Sequence, residues 1–318
     1  MWRRNFLKAA GALGAGAAAA GVGSGGEAGG RELLSAHREL RQAHGRLDNL
    51  CGASAVYAQA VPHHQAPLTW HASVRSPGER RHIAALVADT GGFVAFLTND
   101  LGMPGEAVDH YREAAEYAMA AGDVSCCANL VGQMARIRAD QGDFPGALRL
   151  SERAVDMAGT LAHPSVRSWL RAVRAHHHAG VGEARKAKED LKAAWALLER
   201  CDDGEMPGYM GYLSTAELGK WSGHVMAQLG RSDAGCIKSG LSTLDEALGQ
   251  WPTGIVRGSA EVLTVAARLR AASGDLDEAR GLVSRAITVA TSTGSARNLN
   301  AALAAHGALL GGREALPN

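Results

Sequence analysis

Residues 99–123, NDLGMPGEAVDHYREAAEYAMAAGD, read as the end of one helix, a tight corner at Gly102 and a second helix that stops at Gly122. Counted from Ala107, Gly102 lies five residues before, Ala95 twelve before and Ala114 seven after. The same frame recurs around Ala147, with Gly142, Ala135 and Ala154, and around Ala279, with Gly274, Ala267 and Ala286. Weaker copies surround Ala184, which keeps Ala172 but has Leu191 last, and Ala234, which keeps Ser222 with Leu241. Recurrence of this kind marks a repeat architecture. Each copy predicts a helical hairpin in which a left-handed Gly ends the first helix and Asp143 or Asp275 caps the second. The alanines mark where helices cross closely, and Leu101, Tyr111, Leu148 and Leu282 fill the space around them, with Ala114 facing the next unit. Anchor spacings of 40, 37, 50 and 45 exceed a minimal repeat of about 34 residues, so some helices or connections are longer. The expected fold class is all-α, a right-handed solenoid of stacked helical hairpins.

The composition agrees. A chain of 318 residues with 46% hydrophobic positions can bury a sizeable core, and 5% aromatics beside 40 glycines favour close-packed helices over a sheet. A net charge of +1 gives no overall attraction to nucleic acid or anionic lipid. Five cysteines without paired spacing exclude a disulfide framework and point to a reducing compartment. Residues 1–30 form an Ala/Gly-rich segment whose RRNFLK start has the layout of a twin-arginine export signal. Its alanines and glycines are too weakly apolar for a spanning helix, and Gly21, Gly23 and Gly26 lack the preceding strand that a dinucleotide site needs. Residues 31–78 carry N-terminal helices. Leu33, Leu34, His37, Leu40, Ala43 and Leu47 recur at helical intervals, whereas Pro62, Pro67 and Pro77 break the stretch from Cys51 to Pro77 into short pieces. Residues 79–318 form the repeats and a C-terminal capping helix.

The spacing of small residue, Gly, Ala and Ala resembles tetratricopeptide repeats from about Arg80 to Ala290. The whole chain resembles the C-terminal sensor half of bacterial helix-turn-helix regulators of the XRE type that carry such repeats. The RRNFL segment, the helix through Leu40-Arg41-Gln42-Ala43-His44-Gly45-Arg46-Leu47, and the run from Asp100 through Tyr111 to Asp123 carry that resemblance. It implies a regulatory, cytoplasmic setting in which the twin-arginine stretch is a connector; the alternative is an exported scaffold of the cell envelope. No helix-turn-helix precedes the stretch here, so direct nucleic-acid binding does not carry over to this chain, which is either a free-standing repeat domain or one whose gene start was placed too late.

Histidines 176–178 point about 100° apart on a helix and cannot converge on one metal, and His63, His64 and His71 read as polar surface or loop residues. Cys126-Cys127 reads as small apolar filling of a helix start, and no nucleophile elbow or phosphate loop occurs. The expectation is a non-enzymatic module without cofactor or metal, with no membrane span, binding a peptide, a protein or a small ligand, and compatible with a homodimer; an enzyme with an unrecognised site is the second alternative. In a repeat solenoid the first helix of each unit lines the concave groove. That nominates Phe96, Asn99, Asn129, Arg136, Trp169, His176, Met226 and Arg268, where Arg can grip a carboxylate and Trp supplies area. Trp195, Trp221 and Trp251 are expected to pack between units. Enlarging a crossing by Ala107→Leu is predicted to cost about 1–3 kcal/mol by denaturant unfolding, whereas the frame predicts little loss for Arg136→Ala.

Overall fold

The computed structural model describes residues 27–201 and 206–311; the twin-arginine-like start and the Gly21-Gly23-Gly26 tract lie outside them. The described residues form thirteen α-helices, one short 3-10 turn and no strand. Helices α1 (Glu27–Cys51) and α2 (Ala53–Ser73) come first. Next come five hairpins: α3 (Pro77–Asp100) with α4 (Pro104–Ala121), α5 (Val124–Asp140) with α6 (Phe144–Ala158), α7 (Pro164–Gly180) with α8 (Ala184–Leu198), α9 (Thr215–Leu229) with α10 (Ala234–Gly249), and α11 (Val256–Ala272) with α12 (Leu276–Ser292). Helix α13 (Ala296–Leu310) ends the stack. Partners within a hairpin pack on each other and successive hairpins pack in order, which makes the chain a solenoid of tetratricopeptide-like repeats.

The local rules behind this are visible at the corners. Gly102, Gly142, Gly182 and Gly274 have φ of 84, 84, 83 and 88°, a conformation that a Cβ disfavours. Asp143 and Asp275 accept the backbone N–H of Gly146 and Glu278 as N-caps. Ala95, Ala107, Ala135, Ala147, Ala267 and Ala279 are buried at the crossings; Ala114, expected against the next unit, faces Gly91 of its own hairpin. In the third unit the corner glycine is Gly182, so the frame falls on Ala175, Ala187 and Ala194, all buried, three residues later than the expected anchor at Ala184. The left-handed corner sets the register, and alanine matches alone mislead in an alanine-rich chain. With anchors at 107, 147 and 187 the first three units are 40 residues apart. The fourth unit has Val225, Ile237 and Leu244 in the frame instead of Ala234 and its companions, and its bulk is accommodated because a Cβ at Gly223 would collide with Leu244.

Prolines 62 and 67 do not break the second helix. Helix α2 runs unbroken through both, because Val56, Ala60, His64, Pro67 and Trp70 are buried in the N-terminal packing. Each interior proline costs a helix about 3 kcal/mol, so this tertiary burial overrides local preference. His63 and His64, expected on the surface or in a loop, are buried on this helix for the same reason.

The stack also closes on itself. Helix α11 packs on α1, and α13 packs on α3. Arg257 of α11 reaches Asp48 of α1 (Nε to Oδ2, 3.2 Å) and Asp100 of α3 (Nη1 to Oδ1, 3.4 Å), and the Ser295 hydroxyl donates to Asp100 (2.8 Å). Gly52, between α1 and α2, has φ 86°, and a Cβ there would collide with the Thr293 carbonyl in the α12–α13 turn. Gly52→Ala therefore strains both the backbone and the seam. The expected outcome is a loss of at least about 1 kcal/mol in urea unfolding with the helical content of the native state unchanged.

Candidate functional site

Closure turns the concave face into a cavity of about 810 Å³. Its walls come from α1, α3, α5, α9 and α11, the start of α13 and the connection between α8 and α9. Along α3 and α5 the lining residues recur at helical spacing: Asp89, Phe93 and Phe96 on one, Asn129, Gln133 and Arg136 on the other. The α8–α9 connection adds Tyr209 and Tyr212 to the lining, and burial raises the phenol pKa of both. That connection accounts for the longest anchor spacing in the sequence. Beneath it the Asn129 amide lies 3.3 Å from the sulfur of Met210, which is fully buried.

At one end of the cavity sits Glu261 of α11. Arg136 of α5 holds both its carboxylate oxygens from Nη2 at 2.7 Å. Lys220 and His224 of α9 approach at 3.3 and 3.2 Å, and Arg297 of α13 at 3.2 Å. Burial raises the carboxyl pKa of Glu261, but Arg136, Lys220 and Arg297 outweigh it and hold the group well below the usual range. Lys220 also pairs with Glu217 at 2.7 Å. Asp48, by contrast, is pushed upward, because burial outweighs the attraction of Arg257. Its Oδ1 has no hydrogen-bond partner among the described residues, and neither has Oδ1 of Asp89, which faces Arg41 at 3.5 Å. The wall thus holds paired charge at Glu261, while the unpartnered oxygens of Asp48 and Asp89 are shut off from solvent behind it. Arg41 lies over Phe93 (3.8 Å) and Arg257 over Phe96 (4.6 Å).

Of the eight residues nominated from the sequence, Phe96, Asn129 and Arg136 line this cavity. The remaining five do not. Trp169 is buried against Tyr212 and Trp221, ring centroids 6.5 and 6.4 Å away, and supports the wall. His176 lies among Phe144, Trp221 and His224. Met226 packs by Gly240 of α10, Asn99 sits at the C-terminal end of α3, and Arg268 lies on α11 beyond Glu261. Asn99, Met226 and Arg268 lie beyond the lining stretches of α3, α9 and α11, which end at Phe96, Lys220 and Glu261, and α7, which carries Trp169 and His176, adds no residue to the lining. The tryptophans expected between units are there: Trp195 and Trp221, and Trp251, which packs on the core of the fourth and fifth units while also lining the cavity and donating to the Ile255 carbonyl. Glu261, Lys220, Arg257, Arg297 and Asp48 were not nominated. A signal existed, since Glu261 interrupts the apolar run Ala260-Val262-Leu263, and a charge in such a place requires a partner. Among the described residues no group of three or more His, Cys, Asp or Glu could hold a metal ion, and no helix is long and apolar enough to cross a membrane.

No family model and no curated protein matches the sequence. Among solved structures the chain is similar to a Rap protein complexed with competence and sporulation factor, with a TM-score of 0.54 and 11% identity over 88% of this chain and 83% of that one. BtubC (BKLC) from P. vanneervenii gives 0.49 at 15% identity, over 76% and 91%. A putative kinesin light chain with nearly identical TPR-like repeats from Podosopora anserina gives 0.37 at 16%, over 69% and 99%. At these identities the likeness is one of fold.

The structure corrects the expectation for Arg136→Ala: the side chain is buried against Glu261, so its loss should cost about 1–3 kcal/mol in urea unfolding, limited by the cations that Glu261 keeps. Burial lowers His63 and His64 to about 4 and His177 to about 3, from 6.5. The unfolded chain then binds more protons than the folded one below pH 6.5, so stability should fall as pH falls from 6.5 towards 4. The urea midpoint at pH 7 and pH 5 checks this, and an equal midpoint contradicts it.

Proposed function

We propose that the chain is a non-enzymatic helical-repeat binding module whose closed concave face takes a short peptide or a small polar ligand. The observation that carries this reading is the cavity, which lies between repeat inner faces and α1 and is sized for a small ligand rather than a folded protein. Its chemistry supports the same class of occupant: Gln42, Asn49 and Gln133 line it with amide donors and acceptors beside Tyr209 and Tyr212. In this reading residues 79–318 form the binding solenoid and residues 31–78 close its mouth. Its context is regulatory and cytoplasmic, in line with the resemblance to the sensor half of XRE-type regulators. The shared fold of a Rap protein that was solved with competence and sporulation factor supports that context.

Gln133 lines the cavity without taking part in the Glu261 network, which makes it the residue to change. Titration of the full chain with a library of unmodified peptides of four to six residues should find saturable one-to-one binding. Gln133→Ala should weaken it about 2- to 10-fold, the worth of one hydrogen bond, at an unchanged melting temperature. Absence of saturable binding across the library, or binding indifferent to Gln133, would count against the cavity as the site.

A further inference from the structure

Helix α1 shows two faces. Leu34, His44 and Asp48 turn inward and are buried. On the outer side Leu33, Leu40, Leu47 and Leu50 are 39, 45, 39 and 50% exposed, four of the ten large apolar side chains exposed among the described residues. With Ala36 and Ala43 they occupy alternate steps of three and four residues, the a and d positions of a heptad sustained from 33 to 50. A surface helix that only had to be solvated would place charges there.

We propose that this stripe is a homodimer interface, in which α1 pairs antiparallel with the α1 of a second copy about a two-fold axis passing between Arg41 and Gln42. In that register Leu33 meets the partner's Leu50, Ala36 meets the partner's Leu47, and Leu40 meets the partner's Ala43. Every small residue faces a large one, so the seam fills without gaps. A parallel pair would set Ala36 on the partner's Ala36 and Ala43 on the partner's Ala43, leaving voids between leucine layers. The charges choose the same arrangement. In an antiparallel pair like flanking positions face each other, which brings Glu39 to the partner's Arg46, and two-fold symmetry makes the contact twice. Glu39 and Arg46 are both exposed, and Arg46 has no ion pair within the chain among the described residues. On the other flank His37 and His44 turn against His63 of their own chain, the first at 3.0 Å and the second with ring centroids 5.2 Å apart, so the contact across the axis rests on the leucines and the Glu39–Arg46 pairs.

Sedimentation equilibrium of the full chain tests this. The wild type should associate to twice the chain mass, and Leu40→Glu should be monomeric with an unchanged melting temperature. Glu39→Arg and Arg46→Glu should each raise the dissociation constant, and the two together should restore it, because the swapped charges face each other again across the axis. A wild type that stays monomeric at every concentration would overturn the proposal, as would a dimer indifferent to Leu40→Glu or a double variant as weak as the singles. A monomer that loses stability on Leu40→Glu would also overturn it, by assigning the stripe to a cover within the chain.

Discussion

A carboxylate taken out of water has to be surrounded by cations, and at Glu261 those cations come from three other places in the chain: Arg136 on α5, Lys220 on α9 and Arg297 on α13. No open arc of hairpins can supply all three, because α5 lies in the second unit and α13 comes after the last. The group is satisfied only when the stack bends far enough to bring its ends together. A buried ion cluster is weak evidence for added stability, since desolvation offsets much of the attraction. Its stronger effect is selective: among the curvatures that alanine crossings permit, it favours the one that closes. Arg257, with Asp48 and Asp100, applies the same selection at the seam between first and last units.

Closure decides what kind of site the fold offers. An open solenoid presents a long groove suited to extended partners, whereas here the inner faces of α3 and α5 share one cavity with α9, α11 and the α8–α9 connection. Arg136, Lys220 and Arg297 hold Glu261 and also line the cavity, so the same side chains belong to the closure and to the wall.

Much of the architecture was legible because it is written in local chemistry. Gly102, Gly142 and Gly274 announce corners, the aspartates after two of them announce caps, and the alanines announce crossings. The third unit was misplaced by three residues because alanine is too common here to mark register without the glycine at 182. Helix α2 was obscured by Pro62 and Pro67, whose local penalty is outweighed by burial that only the folded neighbours provide. The cavity was half legible: Phe96, Asn129 and Arg136 emerge from helical phase, but Glu261, Arg257 and Arg297 depend on contacts more than a hundred residues apart in sequence. What marks them is incongruity, a charge inside an apolar run, and that tells of a partner without naming it.

The claim that the ring is closed by this cluster is tested most directly by a double-mutant cycle on Arg136 and Glu261, using Arg136→Ala, Glu261→Ala and the pair in urea unfolding. Direct contact across the closed ring predicts a coupling of at least about 1 kcal/mol between positions 125 residues apart. Additive losses, with no coupling, would mean that the two side chains do not meet and that the stack is open.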